Sequence, residues 1–505
     1  MSSGIVAINS MGLAGLQTSQ TGMANVATNV SGAAVEGFHR RQIHPMMVSA
    51  TTNPLVQGGT VIIDSMVRSY SALVSTQYLN NHAKVKQAQS INNSAQIVDR
   101  MLVDESAGLT EVFNGFFTTA SDLSADPASG TARTAFATTT IELTDRIRNL
   151  AATVDETRRQ ALFQMSGVID AVNDKTEALA KVNQLIQASS AYGKPLPSAD
   201  LLDERDRLTG ELTDLIGASI DTSPLGQTTL RFDGVTLVEG NQAARLKVQV
   251  DEVGLPSGVI DIFLPTGESP DEGPSNKVAS LRGGGVIGGE FGGLMRYAEG
   301  ADAWLTRLDA LALRLVRFGN PLLDRPTGTD TDQDGQIDVI PGQQWYNKNG
   351  DELGAFDENG VFFPGMFRVN ADYEVTGART LRPSRTLQSN LSSGALVPWS
   401  TSDVVGSQAD QRFVIEVASG RSSVMRDWSD WVSSVSSELS KWRAEEASFT
   451  AVHMSLKEQR EQVSGVDLDE EATDLLRFQQ LYQANSSVLQ AAARMFDVLL
   501  TTTGR

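Results

Sequence analysis

The stretch Asp474–Leu500, DLLRFQQLYQANSSVLQAAARMFDVLL, carries apolar residues at the spacing of one helical face. Leu475, Tyr482, Leu489 and Phe496 are seven residues apart, and only five residues follow the stretch. No later segment therefore covers this face. An isolated helix of this kind is marginally stable in water and exposes its apolar side. The stripe predicts a partner helix, and the sequence has to supply it elsewhere.

The first 30 or so residues predict a second helix with the same need. Leu16 and Met23 are seven residues apart, and small residues surround them. Gly12, Gly15 and Gly22 weaken this helix by about 1 kcal/mol each relative to Ala, but they permit close approach of another helix. The two ends are expected either to pair within one chain or to pack against neighbouring copies.

The two terminal stripes are therefore the predicted assembly interface. An apolar face without a cover in a single molecule is typical of a protein that associates. The predicted interface residues are Leu13, Leu16, Met23 and Val26 near the N-terminus and Leu475, Phe478, Tyr482, Leu489, Phe496 and Leu499 near the C-terminus.

Composition excludes several classes of function. The 505 residues hold 41 Lys and Arg against 61 Asp and Glu, a net charge of −20, which argues against nucleic acid or an anionic membrane surface as partner. There is no cysteine, so disulfides and thiolate metal sites are absent. No Lys or Arg precedes Arg40, and no stretch is apolar enough to span a bilayer. We expect no membrane insertion and, if the chain is exported, no cleavable signal.

Between the ends, the spacing of apolar residues changes from helical to alternating and back. It predicts two helices between about residues 67 and 122, a break at SADPASGTAR and a long helix over about 131–191. Ser198 is positioned to cap the helix ADLLDERDRLTGELTDLIG, in which Asp203 lies one turn before Arg207. The alternating segments that follow predict antiparallel strands.

The last third returns to a seven-residue spacing. Trp428, Val435 and Trp442 begin a series that continues to Val463, where the phase breaks at SGVD. Gly465 is therefore predicted to join two helices. The chain is expected to be mainly α with a β-containing middle: long coiled-coil-like helices from both termini, a helical bundle and a small outer antiparallel β region.

The predicted organisation has three parts. Residues 1–45 and 465–505 form a terminal coiled-coil inner domain, and residues 60–220 and 400–464 form a helical bundle domain. Residues 221–399 form a β-rich region, in which one long helix (about 290–319) returns to the bundle and 320–399 is a variable outer segment.

Two motifs and the histidines are candidate sites of chemistry. The segment DTDQDGQID has the spacing of a calcium loop, but position twelve is Pro341 instead of Glu, so an acidic solvated loop is the alternative. GGGVIG lacks the βαβ unit of a dinucleotide site. The four histidines have no nucleophile motif near them, so no enzyme is expected. The calcium candidates are Asp330, Asp332, Asp334, Gln336 and Asp338, and the histidines are His39, His44, His82 and His453.

The segment SGVDLDEEATDLLRFQQLYQANSSVLQAAARMFDVLL resembles the C-terminus of the bacterial flagellar hook-associated protein 1 family, the hook–filament junction proteins. LLDERDRLTGELTDLIG and DGVTLVEGNQAARL are similar to interior segments of the same family. NVSGAAVEGFHRRQ is similar to an axial-protein pattern near the N-terminus, with Gly32 at the place of its second Asn. Similarity covers most of the chain outside about 320–400.

The resemblance implies an exported, non-enzymatic axial subunit of the flagellum at the hook–filament junction. It implies a homo-oligomeric ring with hook protein and a second junction protein or flagellin as axial neighbours. It also implies terminal helices that order on assembly, an export chaperone on the C-terminal helix, and type III export without a cleavable signal. No cofactor is implied. A flagellin or hook protein is the nearer alternative, and a calcium-binding surface adhesin the more distant one.

Overall fold

The computed structural model describes residues 2–35, 37–49, 59–126, 128–191, 198–251, 254–264, 277–282, 288–319 and 411–503, with the pairs 323–324, 367–368, 378–379, 382–383 and 397–398. Its described helices are α1 (Ser2–Gly32), α2 (Ala72–Ala125), α3 (Gly130–Ala191), α4 (Ala199–Ile216), α5 (Gly289–Gly319), α6 (Gln411–Ser464) and α7 (Leu468–Thr503). The mainly helical class, the long helices at both ends and the joint at Gly465 are confirmed.

The strands form small antiparallel sheets. They are β1 (Arg41–Ser49), β2 (Gly59–Arg68), β3 (Ser219–Thr222), β4 (Thr228–Phe232), β5 (Val235–Glu239), β6 (Gln242–Ala243), β7 (Arg245–Val250), β8 (Pro256–Phe263), β9 (Lys277–Arg282), β10 (Leu323–Asp324), β11 (Phe367–Arg368), β12 (Arg382–Pro383) and β13 (Val397–Pro398). The sheet orders are β1-β2, β3-β4-β5-β6, β7-β8-β9, β10-β13 and β11-β12. The β1–β2 ribbon has a register shift between His44 and Pro45.

The body of the molecule is built around α2, α3, α5 and α6. Its core contains the fully buried Trp304, Trp431 and Trp442, and the Trp431 indole donates a hydrogen bond of 3.0 Å to the carbonyl of Trp304. The predicted seven-residue series on α6 is buried from Trp428 to Trp442. The last residue of the series, Val463, is 44% exposed to solvent.

Side-chain amides on α3 fix the two larger sheets to the bundle. Asn183 exchanges two hydrogen bonds with the backbone of Thr228, at 2.8 and 2.9 Å, so it substitutes for a neighbouring strand. Asn173 does the same for Leu246, at 2.9 and 2.8 Å. A buried backbone edge needs such partners, and these amides provide them.

The predicted capping of α4 is confirmed at Ser198. Ser198 caps α4 by accepting from the Leu201 N–H at 3.4 Å, and Gly217 ends the helix in the left-handed conformation with φ of 65°. Gly217 also lies against Gly288, where a Cβ at position 217 would be 2.6 Å from the Gly288 backbone. Both the conformation and the close approach therefore require glycine there.

Two predictions about helices were wrong. The two helices expected between residues 67 and 122 are one continuous helix, α2, which begins after the cap residue Ser71. Val67 belongs to strand β2 and Tyr70 precedes the cap, so neither lies on the helical stripe. Apolar residues at the end of a strand continued the helical spacing by chance. The division of the chain into three parts stays a prediction.

Candidate assembly surface of the terminal helices

Helices α1 and α7 pack against each other as an antiparallel pair, which we call the terminal hairpin. Gly12 faces Leu489, Gly15 faces Asn485 and Gly22 faces the ring of Phe478. The chain ends thus cover each other in part within a single molecule, which was one of the two open alternatives.

Three glycines set the distance between these helices. A Cβ atom would lie 2.8 Å from Leu489 at Gly12, 2.5 Å from Asn485 at Gly15 and 2.6 Å from Phe478 at Gly22. Contacts this short do not occur in real structures, so a larger residue at these positions would displace either the facing side chain of α7 or the helix itself. The close approach predicted from these glycines is confirmed.

Pairing buries only part of each predicted stripe. Val26 is 3% exposed, while Leu13 is 54% and Phe496 51% exposed. Leu16, Met23, Leu475, Phe478, Tyr482 and Leu489 are partly buried. Leu499 lies in α7, but its side chain is outside the described residues. The interface assignment itself stays a prediction.

Further exposed apolar side chains lie on the hairpin and beside it, and sequence reasoning missed them. Leu481, Val488 and Met495 follow one another at seven-residue spacing on α7 and are 43–47% exposed. Their seven-residue spacing was visible in the sequence. Each of them directly precedes a residue of the series through Leu489, and only that series was assigned to the interface. On the β1–β2 ribbon, Met47 is 73% and Met46 45% exposed. The exposed apolar surface is therefore wider than one stripe per helix.

A buried polar network joins the terminal hairpin to the body. Glu471, in the first turn of α7, is 1% exposed and accepts hydrogen bonds from Arg40 Nε at 2.7 Å and from Asn29 Nδ2 at 3.1 Å. The Arg40 N–H donates to the carbonyl of Ser464, the last residue of α6, at 3.0 Å. Asn29 also bonds both backbone groups of Arg41, at 3.0 Å each. These contacts fix the ends of α1, β1, α6 and α7 relative to one another.

A second charged cluster joins the base of the β1–β2 ribbon to α4. Asp203 lies 2.9 Å from Arg41 Nη2, 3.0 Å from Arg68 Nε and 3.4 Å from His39 Nδ1. Burial would raise the pKa of Asp203, but the hydrogen bond from His39, the charge of Arg68 and the hydrogen bond from Arg41 outweigh burial and lower it. The carboxylate therefore stays ionised within the cluster.

The expected pairing of Asp203 with Arg207 is wrong. Arg207 instead forms hydrogen bonds with Glu204 and Glu211 on its own helix. Asp203 forms ion pairs with Arg41 and Arg68 of the β1–β2 ribbon. A contact between distant segments replaced the local pair, because it places a buried carboxylate beside two guanidinium groups.

Packing explains why Gly32 departs from the axial-protein pattern. A Cβ at Gly32 would lie 2.6 Å from the ring of Phe38, so the ring occupies the space of a larger side chain. Gly37, just before Phe38, has a φ of 83° and lies against Arg207. The turn after α1 thus folds the Phe38 ring back onto the helix end.

The structure brings together two histidines that are far apart in sequence. The rings of His82 on α2 and His453 on α6 stack with centroids 4.6 Å apart, and Tyr78 lies beside both. His82 Nδ1 is 2.7 Å from Asp214. Burial, followed by the charge of His82, lowers the pKa of His453. The two histidines lie where α2 packs against α6.

The remaining candidate sites stay predictions, because most of their residues lie outside the part of the chain that the structure describes. The calcium candidates at 330–338 lie outside the described residues, as do Gly283 and Gly285 of GGGVIG. Within the described ranges, no group of three or more His, Asp or Glu residues is arranged to hold a metal ion. A search of the same residues finds no helix with the length and apolarity needed to cross a membrane.

Two family models match the chain. The model of the flagellar hook-associated protein FlgK helical domain matches residues 95–337. The model of the flagellar basal body rod FlgEFG protein C-terminal region matches residues 458–502, which include most of α7. The matched segments, which include α3, α4, α5 and most of α7, therefore resemble structural proteins of the bacterial flagellum.

Curated relatives match over nearly the whole chain. Flagellar hook-associated protein 1 of Escherichia coli and of Salmonella typhimurium are each 22% identical, covering 97% of this chain and 98% of their own length. The chain is thus similar to the flagellar hook-associated protein 1 family over nearly its whole length. A solved flagellar hook junction protein FlgK from Burkholderia pseudomallei is 18% identical, with a TM-score of 0.41 over 50% of this chain and 47% of that one.

Proposed function

We propose that the chain forms the junction between the hook and the filament of the flagellum by self-association of its terminal hairpins. The observation that carries this proposal is the uncovered apolar surface of α1 and α7, in a chain that matches hook-associated proteins 1 from end to end. Large exposed apolar patches are typical of surfaces that associate.

The absence of charge on α1 supports burial of this surface in an assembly. Residues 2–35 contain no Asp, Glu, Lys or Arg, although the N-terminal helix exposes much of its surface. Burying a surface without charges avoids the large desolvation cost that ionised groups carry. A helix that stays in water gains no stability from the absence of charges, whereas a contact between subunits forms at a lower desolvation cost.

We further propose a homo-oligomeric ring that contacts hook protein on one side and a second junction protein or flagellin on the other. Export without a cleavable signal and a chaperone on α7 belong to the same proposal. An exposed apolar helix such as α7 needs cover before assembly, and a chaperone would provide it. The proposed contacts are the predicted residues of both helices, with Leu13 and Phe496 as the most exposed.

Localisation tests the proposed function. A strain lacking the gene is complemented with the epitope-tagged chain, and its flagella are imaged by immunogold electron microscopy. We expect label only at the boundary between hook and filament, and detached filaments in the uncomplemented strain. A variant tagged at the same site but lacking residues 468–505 is the control and should leave no label.

Other labelling patterns would contradict the proposal in different ways. Label along the whole filament would indicate a flagellin, and label along the hook would indicate a hook protein. Label on the cell body without flagella would favour an adhesin instead.

A further inference from the structure

The second half of α6 is held against α2 by contacts that leave much of its surface in water. No residue of α6 between Trp442 and Ser464, both of which are buried, is itself buried. We call this stretch, residues 443–463, the α6 arm. Burial of apolar surface is the main stabilising contribution in folded proteins, so the α6 arm depends on a small number of specific contacts with α2.

Ionisable residues alternate with apolar ones along the inner face of the α6 arm. Glu446, His453 and Arg460 are seven residues apart, and Phe449 and Leu456 lie between them at the complementary positions. All five are half-buried, whereas most of their neighbours on the α6 arm are exposed. The packing of the α6 arm on α2 therefore depends on the charge of its side chains.

The outer two ionisable residues have partners on α2 that suit a charged side chain. Glu446 accepts a hydrogen bond of 2.6 Å from Asn92 Nδ2. The guanidinium carbon of Arg460 lies 4.7 Å from the centre of the Tyr78 ring, whose face attracts a cation. Of the three side-chain types, only histidine ordinarily changes its charge between about pH 5 and about pH 8, so the middle position decides how the α6 arm responds to pH.

The middle position brings two imidazole rings face to face. His453 of the α6 arm stacks on His82 of α2, with ring centroids 4.6 Å apart and ring planes inclined by 18°. His82 Nδ1 lies 2.7 Å from a carboxylate oxygen of Asp214 on α4. His453 Nδ1 is buried and has no hydrogen-bond partner among the residues that the structure describes. The carboxylate that serves this pair of rings therefore lies beside His82 and not beside His453.

A proton on His453 is costly in this arrangement. A protonated ring carries an N–H on both nitrogens, and the Nδ1–H of His453 would lack an acceptor. Burial, followed by the charges of His82 and Lys457, lowers the pKa of His453, and the carboxylate of Asp214 opposes this effect only in part. The titratable and charged groups that face this ring, or Tyr78 beside it, are Tyr78, His82 and Lys86 of α2, Lys457 and Arg460 of the α6 arm, and Asp214 of α4.

We propose that the stacked pair of His82 and His453 is a pH-sensitive contact, which releases the α6 arm from α2 when His453 binds a proton. The released ring lies in water and binds the proton more tightly than the packed ring. The contact is therefore fully stable above the ordinary histidine pKa of about 6.5, and it weakens as the pH falls through that value. Because α6 continues through Gly465 into α7, the contact makes the attachment of the terminal hairpin sensitive to pH.

Hydrogen exchange of the purified chain near pH 7.5 and near pH 5.5 tests this release. Protection factors, which correct for the intrinsic effect of pH on exchange, are compared between amides of the α6 arm and core amides of α3. We expect protection of the α6 arm to fall at least about threefold at the lower pH, because the released state gains a proton there. Protection of α3 should stay within about twofold.

Neutral variants identify the ring that binds the proton. His453→Gln keeps a polar side chain without a charge, so protection of the α6 arm should be the same at both pH values. His82→Gln removes the facing ring and should reduce the pH dependence. His44→Gln is the matched control, because His44 is an exposed histidine of the β1–β2 ribbon, and it should keep the pH dependence of the wild-type chain.

A distance measurement gives an independent readout that leaves both histidines in place. The chain has no cysteine, so nitroxide labels can be attached at Gln77→Cys on α2 and Gln459→Cys on the α6 arm, both exposed positions. Pulsed electron paramagnetic resonance then reports their separation. We expect one narrow distance distribution at the higher pH and an additional longer component at the lower pH. Adding His453→Gln to the labelled chain should remove the longer component.

Three results would overturn the proposal. The first is equal protection of the α6 arm at both pH values, and the second is a pH dependence that persists in His453→Gln. The third is a distance distribution that stays narrow at the lower pH. All three concern the single purified chain, so they leave the proposed function untouched, and the immunogold images test that function separately.

Discussion

At the scale of single residues, the close packing of the terminal hairpin depends on glycines of α1 that face α7. Gly22→Ala places a Cβ 2.6 Å from the Phe478 ring, so the ring or the helix that carries it must shift and the packing of α1 on α7 is disturbed. We expect faster proteolysis of residues 1–32 and 468–505 and a cost of about 1–3 kcal/mol to the hairpin. Gly115→Ala in α2 is the control, because nothing lies within 4 Å of its added Cβ.

The two glycine variants should change the stability of the protein in opposite directions. Gly115→Ala should stabilise the body by up to about 1 kcal/mol through helix propensity, as measured by thermal unfolding. If Gly22→Ala is as protease-resistant as the wild-type chain, the close packing of α1 on α7 is wrong.

A second residue-scale prediction concerns the buried network at the base of the hairpin. Arg40→Gln leaves the carboxylate of Glu471, which is 1% exposed, without its cationic partner. Removing one member of a buried ion pair costs about 3–5 kcal/mol, and we expect hydrogen exchange in the first turns of α7 to accelerate accordingly. Arg477→Gln, at a side chain 71% exposed, should change exchange by less than about 1 kcal/mol.

Partial compensation provides a check on this interpretation. Arg40→Gln/Glu471→Gln removes both charges and should recover part of the loss, since no unpaired charge stays buried. A double variant as unstable as the sum of the two single variants would show that the residues act independently.

The body contains a buried acid whose ionisation opposes folding. Asp309 is 3% exposed, and its Oδ1 accepts from the Ala378 N–H at 2.7 Å. Burial raises the pKa of Asp309 to about 6. The folded state therefore binds the proton more tightly than the unfolded state, and stability is lost as pH rises from about 4 to about 6.

Replacing this acid should reveal the loss. Asp309→Asn keeps an acceptor for Ala378 and removes the charge, so we expect about 2–3 kcal/mol more stability at pH 7 and little change at pH 4. Chemical unfolding at both pH values measures it, with Asp302→Asn, 69% exposed, as control. A variant less stable than the wild-type chain at pH 7 would contradict the argument.

At the scale of elements, α7 has one face for its partner helix and another for its surroundings. Leu489 contacts Gly12 within the chain, whereas Phe496 is 51% exposed. Leu489→Asp should therefore disrupt the hairpin of a single molecule, which proteolysis of the purified chain detects. Phe496→Asp should leave that hairpin intact and abolish incorporation into flagella. Normal incorporation of both variants would contradict the assignment of α7 as an assembly element.

The sequence predicted helices where apolar spacing continued over many turns. The series on α6 through Trp442 and the one on α7 through Leu489 gave both helices and the joint between them. It failed at residues 67–70, where a strand end continued a helical spacing, and it split α2 in two. Periodicity describes one element at a time, so it carries no information about where neighbouring elements meet.

The same limit applies to the candidate surface. The glycines and the stripes of the terminal hairpin were visible in the sequence, because each is a local pattern. Glu471 with Arg40 and Asp203 with Arg68 were not, because each pair joins segments far apart in the chain.

At the scale of the whole molecule, the chain combines a body with a buried core and a pair of terminal helices that leaves apolar side chains exposed. The tryptophan-rich core of the body is closed, while the hairpin keeps apolar side chains in solvent. Assembly would bury those side chains at a gain of about 25 cal/mol per Å² of apolar surface. The polar networks at Glu471 and Asp203 hold the hairpin at a defined angle for that contact.

The most direct test is the labelling rate of a thiol placed on this surface. The variant Leu13→Cys is labelled with a maleimide, both as purified single chains and in assembled flagella, with Ser121→Cys on the body as reference. We expect labelling at position 13 to slow at least tenfold on assembly, with no change at position 121. Equal labelling rates at position 13 in the single chain and in the flagellum would contradict the claim that sister copies cover the terminal hairpin.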